Sequence, residues 1–183
     1  MQKIKIVQWV VSPRLILAVV LLVPWLTAPA FAAPGPGTCA SDSVSRQLDF
    51  WLGCWKMADP GASGASSKVY LSLDKCVFIE RWENGKGHVT DKTFAYSPDD
   101  QAWYGMFADN EGRAHLFTEG KVTSGKAEFR GQSRGPKGET VLNKLTVTPM
   151  PPNKLEETWE KSSDNGANWT TSYKAEYVRA NSQ

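Results

Sequence analysis

The sequence has few residues suited to binding metals or cofactors. Its 183 residues include only two histidines, His88 and His115, and no two of its three cysteines form a C-x-x-C pair. Structural zinc sites use about four cysteine or histidine ligands at such short spacings, so we expect no metal. A haem group would need an axial ligand such as His115. Nothing else in the sequence is typical of haem binding, and we expect no cofactor.

No apolar run is long enough to form an ordinary transmembrane helix. Residues 15–25 are apolar apart from Pro24, about half of the roughly 20 residues that such a helix requires. Basic residues precede this run, and Ala30 and Ala32 follow it with small side chains. This order is typical of a secretory signal that a peptidase removes. We therefore predict a signal peptide over residues 1–32 and no stable membrane anchor after cleavage.

Cleavage would also remove the excess of positive charge. The predicted signal carries three of the 21 basic residues and none of the 19 acidic ones, which leaves 18 against 19 and a formal charge of −1. No basic stripe remains that would bind nucleic acid. We expect a periplasmic or secreted protein, where oxidising conditions permit a disulfide. Spacing alone leaves open which two of Cys39, Cys54 and Cys76 are paired.

Helical periodicity is absent beyond residue 50, where apolar residues alternate with polar ones instead. We expect a flexible mature N-terminus over residues 33–42, then a short helical turn with Ser41 or Asp42 at its N-cap. A single β-barrel domain is predicted over residues 43–183. The alternation and the turn residues between its segments predict strands at 51–57, 67–74, 76–83, 89–96, 101–108, 113–119, 125–132, 139–148, 154–161 and 169–178.

Short connections between these segments favour antiparallel pairing of successive strands, because a parallel crossover needs a dozen or more residues. A meander of this size hides its edge strands best by closing on itself. The sequence therefore predicts an all-β fold, an up-and-down antiparallel barrel of about ten strands. A two-sheet sandwich is the second choice.

The first predicted strand contains the pattern G-x-W at Gly53 and Trp55. This pattern, after a short helical turn, resembles the opening motif of lipocalins and the wider calycin group. The resemblance implies that Trp55 closes one end of the barrel and that Arg179 packs over its ring, a cation–π contact that contributes on the order of 1 kcal/mol.

Longer motifs resemble one family of uncharacterised secreted bacterial lipocalin-like proteins. Residues 46–55 are similar to the family's F-D-F-W-x-G-x-W opening. Residues 73–82 are similar to L-x-G-C-x-x-x-E-x-W, and residues 159–169 match W-E-x-S-x-D-x-G-x-x-W. The resemblance implies a disulfide between Cys39 and Cys76. Cys54 stands where the family pattern has glutamate, and is then the unpaired thiol.

The last of these motifs also matches the Asp-box hairpin found on sialidase propeller blades. In such a turn Asp164 would cap backbone N–H groups, Gly166 would take a positive φ, and Trp169 would pack beneath. A propeller needs several copies and a longer chain. One copy therefore predicts a structural role for these three residues.

Six of the eight tryptophans remain after the predicted cleavage, and they suit either a packed core or the wall of a ligand cavity. A barrel of ten strands is wide enough to leave such a cavity. We predict that the cavity binds a small apolar or aromatic ligand. The sequence does not indicate an oligomeric state. The candidate ligand-binding residues are Trp82, Trp103, Asn143, Glu157, Trp159 and Tyr173.

An enzyme is the alternative prediction. Alternation places Glu80 on the same face as Phe78 and Trp82, and a carboxyl group on an aromatic face is suited to general acid or base catalysis. Glu80, His115 and Tyr173 are the candidate catalytic residues for an isomerase, cyclase or hydrolase, although alternation leaves the direction of His115 open. A third alternative is a filled barrel with a structural role and no ligand.

Overall fold

The computed structural model describes residues 38–59 and 64–180, which form a closed barrel of ten antiparallel strands. The predicted signal peptide, residues 1–32, lies outside the described residues, as do residues 33–37. The strands are β1 Gly53–Met57, β2 Ser66–Ser72, β3 Val77–Glu83, β4 Val89–Ser97, β5 Ala102–Asp109, β6 Ala114–Thr123, β7 Lys126–Arg134, β8 Thr140–Met150, β9 Lys154–Ser162 and β10 Thr170–Arg179.

Each strand pairs with its neighbours in sequence, and β1 closes the sheet against β10. The predicted all-β, up-and-down antiparallel barrel is therefore confirmed, and its architecture is lipocalin-like. The largest difference in bounds is at β6, which continues to Thr123 rather than 119. A bulge between Phe117 and Glu119 interrupts the alternation of apolar and polar residues. The alternation therefore predicts an end at 119, although the strand continues.

A short segment before β1 covers one end of the barrel. The Asp42 carboxylate accepts hydrogen bonds from the Ser45 backbone N–H at 2.8 Å and from the Ser45 hydroxyl at 2.6 Å, which caps the first turn. A 3-10 turn at Asp49–Trp51 follows. It brings Leu48 and Trp51, both almost fully buried, against the barrel core.

Trp55 and Arg179 join the two strands at which the barrel closes. The Arg179 guanidinium carbon lies 4.2 Å from the centre of the Trp55 ring, and the guanidinium donates to the Leu52 carbonyl at 2.8 Å. Gly53 has a φ of +121°, and a Cβ there would come within 2.6 Å of the guanidinium. Glycine is therefore needed two residues before the tryptophan.

Aromatic side chains fill the half of the interior next to this closed end. The rings of Phe94 and Phe129 lie 4.2 Å apart, and Trp51 and Phe117 pack on Phe94 at 5.4 and 6.1 Å. All four side chains are almost completely buried. This half of the barrel is a packed aromatic core.

The alternation predicted for the last strand is wrong at its start. Strict alternation along residues 169–178 predicts Trp169 and Tyr173 on one face, but a β-bulge between Thr171 and Tyr173 shifts the pairing with β9. Tyr173 points inward, whereas Trp169 packs on the outer wall, with the Lys144 ammonium 4.6 Å from its ring centre. An extra residue in a strand reverses the faces on either side of it.

Cys39 and Cys76 form a disulfide that closes a loop of 37 residues, and Cys54 is free. The bond fastens the segment that covers the closed end to the start of β3. Because a cross-link of this span restricts the unfolded chain, we predict that a Cys39→Ser/Cys76→Ser variant loses about 2–5 kcal/mol of unfolding free energy in urea titrations.

Cys54→Ser is the matched control and is expected to change the unfolding free energy by less than about 1 kcal/mol. Thiol titration of the unfolded wild-type chain should find one free thiol. Equal stability of the double variant and the wild type would contradict the role of the bond.

Candidate functional site

A cavity of about 710 Å³ occupies the other half of the barrel. Its lining includes Trp82 at the end of β3, His88 in the next loop, and Arg113 just before β6. It therefore opens at the barrel end opposite the segment that precedes β1. Its volume lies within the range of roughly 300–1,000 Å³ that is usual for small-ligand sites.

Aromatic rings form much of the cavity wall. Phe107, Trp159, Trp82 and Tyr173 all line it. Trp159 stands almost perpendicular to Phe107 and to His115, with ring centres 5.2 and 4.9 Å apart. Edge-to-face packing of this kind stabilises a pair by about 0.5–1.5 kcal/mol beyond the area that it buries. The wall is thus apolar and held in place by its own contacts.

Asn143 fixes the orientation of Trp159. The indole Nε1 of Trp159 donates to the Asn143 side-chain oxygen at 3.1 Å, and the Asn143 amide donates to the Ser133 hydroxyl at 2.9 Å. Both Asn143 and Ser133 also line the cavity. A buried hydrogen-bonded amide of this kind restricts the rotamer of the ring that it holds.

Three buried ionisable residues lie at the floor of the cavity, and two of them, Lys92 and Glu157, line it. The Lys92 ammonium lies 2.7 Å from Glu80 Oε2 and also donates to Glu157 Oε1. Glu80 and Lys92 face each other on β3 and β4, whereas Glu157 reaches them from β9. The three side chains are only 1–5 % exposed. We call Glu80, Lys92 and Glu157 the buried triad.

Burial raises the pKa of the Glu157 carboxyl to about 7, and the neighbouring charge of Glu80 adds to the rise, while Lys92 opposes it. Burial alone would lower the pKa of Lys92, but the Glu157 and Glu80 carboxylates together hold that pKa above its ordinary value. Lys92 therefore stays charged. Glu157 exchanges its proton near neutral pH, so the net charge of the triad changes between zero and −1.

The free oxygen of Glu157 is suited to contact a ligand. Glu157 lines the cavity, its Oε1 accepts from Lys92, and its Oε2 has no hydrogen-bond partner among the described residues. The same is true of Trp82 Nε1, His88 Nδ1 and His115 Nε2, which belong to three other lining residues. Buried polar atoms are nearly always hydrogen bonded. Four buried polar atoms of the cavity lining are therefore left without a hydrogen-bond partner among the described residues.

His115 and Tyr173 are both uncharged near neutral pH. Burial, and then the ammonium of Lys161, lower the pKa of His115 to about 4, although Asp109 opposes this shift. Burial, and then the Glu157 charge, raise the pKa of Tyr173 to about 12. The Tyr173 hydroxyl is hydrogen bonded to that of Tyr177. Both side chains can exchange hydrogen bonds with a ligand without carrying charge.

The structure brings together five of the six predicted ligand-binding residues. Trp103 is the exception, because it lies in the filled half, 2 % exposed, with its indole donating to Gln47 at 3.3 Å. Glu80 does not line the cavity. One of its oxygens accepts from Ser67 at 2.6 Å and the other from Lys92, so it positions Lys92 rather than meeting a ligand.

Lys92 is the central residue that sequence reasoning missed. It lies on β4 between Thr90 and Phe94, two inward-facing and buried residues. A lysine at an inward position of an alternating strand is a readable signal, because a buried ammonium requires carboxylate partners. Glu80 and Glu157 were both expected on inward faces.

The loop between β9 and β10 borders the mouth of the cavity and contains the predicted Asp164 turn. Asp164 accepts from the Asn168 backbone N–H at 2.9 Å and from the Ser162 hydroxyl at 2.7 Å, and Gly166 has a φ of +88°. The bonds from Asn168 and Ser162 lower the pKa of Asp164 to about 2. The turn has a structural role at this rim.

His88, Asp109 and Glu111 form a cluster near the mouth whose candidate ligand atoms lie within 4.8 Å of one another. His88 Nδ1 lies 3.2 Å from Glu111 Oε1, although the pair does not meet hydrogen-bond geometry. Asp109 already accepts from Arg113 at 2.6 Å and from two backbone N–H groups. Because the Asp109 carboxylate is already occupied by these hydrogen bonds, we assign no metal to the cluster.

Comparison with protein-family models finds none that matches the chain, and no curated protein matches it. Among the described residues, no helix has the length and apolar character needed to cross a membrane. The fold and the cavity together define the class of the protein, a lipocalin-like barrel that is filled at one end and hollow at the other.

The raised pKa of Glu157 predicts a specific dependence of stability on pH. The folded state holds the Glu157 proton more tightly than the unfolded chain does, so its contribution is present at low pH and is lost as pH rises from about 4.5 to 7. Relative to Glu157→Gln, the wild type should lose roughly 2–3 kcal/mol of unfolding free energy between about pH 5 and 8.

Urea unfolding of both proteins at the two pH values measures this loss. Glu156→Gln is the matched control, since Glu156 pairs with Lys174 at 2.9 Å on the outer wall and should follow the wild type. Identical pH dependence in the wild type and Glu157→Gln would contradict the proton exchange.

Proposed function

We propose that this protein is an exported carrier that binds a small apolar or aromatic ligand inside its barrel. The observation that supports the proposal is the cavity of about 710 Å³, with Trp82, Phe107 and Trp159 in its wall. Aromatic walls provide apolar contact area, and a few polar groups orient the ligand. Glu157 Oε2, Trp82 Nε1 and His115 Nε2 are suited to that second role.

A purely structural barrel is the weaker alternative. The aromatic cluster that fills the closed end does not extend to the hollow half, where four polar atoms lack hydrogen-bond partners among the described residues. A barrel selected for stability alone would gain by filling this space, because cavities and unpaired polar groups both destabilise a fold. A ligand that fills the cavity and pairs with these polar atoms would offset this loss of stability.

Two features support the proposal that the protein is exported. The first is the predicted signal peptide of residues 1–32, and the second is the Cys39–Cys76 disulfide, a bond that persists in oxidising compartments. We therefore propose a periplasmic or secreted location. Membership of the secreted lipocalin-like family suggested by the sequence motifs stays a proposal of the same kind.

Replacing Trp82 tests ligand binding. Its indole Nε1 has no hydrogen-bond partner among the described residues, and its ring makes edge contacts with His88 and Tyr173, so Trp82→Ala removes wall area at little structural cost. We predict that the wild type binds the neutral probe N-phenyl-1-naphthylamine and that Trp82→Ala binds it about tenfold more weakly, as the loss of one aromatic contact implies.

Fluorescence titration measures both affinities. Tyr104→Ala is the control, because it removes an aromatic ring, 38 % exposed, from the outer wall. Failure of the wild type to bind the probe, or equal losses in the two variants, would count against a ligand in the cavity.

An enzyme is the second candidate, and Glu157 favours it. Its carboxyl group combines a free oxygen in an apolar cavity with a pKa raised to about 7, the value at which a group serves best as general base or acid near neutral pH. Among the residues expected from the sequence, Tyr173 and His115 line the same cavity and Glu80 does not. In this candidate function Glu157 moves the proton and Tyr173 orients the substrate.

A generic proton-abstraction substrate tests this chemistry. In the ring opening of 5-nitrobenzisoxazole a base removes the proton on carbon as the N–O bond breaks, which releases a coloured cyanophenolate. If Glu157 is the base, the rate should rise with pH through about 7. It should fall to the solution rate in Glu157→Gln, while Glu156→Gln keeps the wild-type rate. Equal rates in both variants would reject Glu157 as the base.

A further inference from the structure

Most charges that line the cavity are neutralised by their neighbours. The Lys92 ammonium is held by the Glu80 and Glu157 carboxylates. At the mouth, Arg113 pairs with Asp109 at 2.6 Å and with Glu111 at 2.7 Å. Neither Lys92 nor Arg113 therefore carries much free positive potential into the cavity.

Lys161 and Arg134 are the two lining cations that no neighbour neutralises. Neither has a carboxylate within 4 Å among the described residues. Lys161 follows Glu157 and Trp159 on the inward face of β9, opposite Asn143 of β8. Arg134 donates to the Gly138 carbonyl at 3.1 Å, which holds its guanidinium at the β7–β8 turn. The mouth therefore carries two cations without a close carboxylate, and they outweigh the single excess negative charge of the Asp109, Glu111 and Arg113 group.

Lys161 is part of the cavity lining, so its charge lies close to the aromatic wall. Burial, and then the Lys161 ammonium, lower the pKa of His115, whose ring packs against Phe107 and Trp159. Two cations near a low-dielectric wall produce a field that attracts anions. Deeper in the barrel the ionised form of Glu157 repels them.

We infer that the cavity selects amphipathic anions, which place an apolar or aromatic body against Phe107 and Trp159 and a carboxylate or sulfonate at the mouth beside Lys161 and Arg134. This inference rests on the proposed ligand-binding function and specifies its ligand class. It also specifies an orientation, because the buried triad opposes a negative charge at the floor and the two cations favour one at the entrance.

Two probes of nearly the same shape test the inference. 8-Anilinonaphthalene-1-sulfonate carries a sulfonate, and N-phenyl-1-naphthylamine has the same aromatic body without charge. Fluorescence titration gives both affinities for the wild type, Lys161→Met, Arg134→Met and the double variant. We expect each single variant to bind the sulfonate about threefold to fivefold more weakly and the double variant about tenfold more weakly. Affinity for the neutral probe should change by less than about twofold.

Lys126→Met is the matched control, since it removes one exposed lysine from the start of β7, near the closed end. It should bind both probes as the wild type does. Added salt should weaken wild-type binding of the sulfonate and not of the neutral probe.

Equal sulfonate affinity in all variants, or parallel losses for both probes, would overturn the anion preference while leaving the carrier function standing. Binding of neither probe by the wild type would overturn both.

Discussion

The attraction between Lys92 and the carboxylates of Glu80 and Glu157 is the interaction on which the site depends. Taking each of these groups out of water costs several kcal/mol, which close pairing offsets only where the geometry is good. The triad ties the neighbouring strands β3 and β4 to β9 on the other side of the barrel. It lies between the packed half of the interior and the hollow half. The same burial leaves Glu157 able to take up a proton near neutral pH.

Among the described residues, the two ends of the barrel differ because the segment before β1 covers only one of them. The turn at Asp49–Trp51 brings Trp51 into contact with the core, and Arg179 holds Trp55 where the first and last strands meet. A disulfide anchors this segment to the start of β3. At the other end the described parts of the connecting loops leave the mouth open. The described residues leave a route into the cavity past Lys161 and Arg134.

The fold could be predicted from the sequence because alternation and turn residues act locally, strand by strand. The same alternation assigned Glu80, Asn143 and Glu157 to inward faces. It could not give the height of a residue along the barrel, which depends on the register of strands distant in sequence. For this reason Trp103 was expected in the cavity but lies in the packed half. A bulge near Tyr173 reversed the face of Trp169, and pairing across the barrel concealed the role of Lys92.

Titration of the glutamate side-chain carboxyl carbons by ¹³C NMR tests the central claim most directly. The buried triad predicts one carboxyl signal in the wild type with a midpoint near pH 7, and that signal should be missing from the spectrum of Glu157→Gln. If every glutamate signal in the wild type has its midpoint below about pH 5, as in water-exposed carboxyls, Glu157 is not a buried proton-exchanging group and the account of the cavity floor is contradicted.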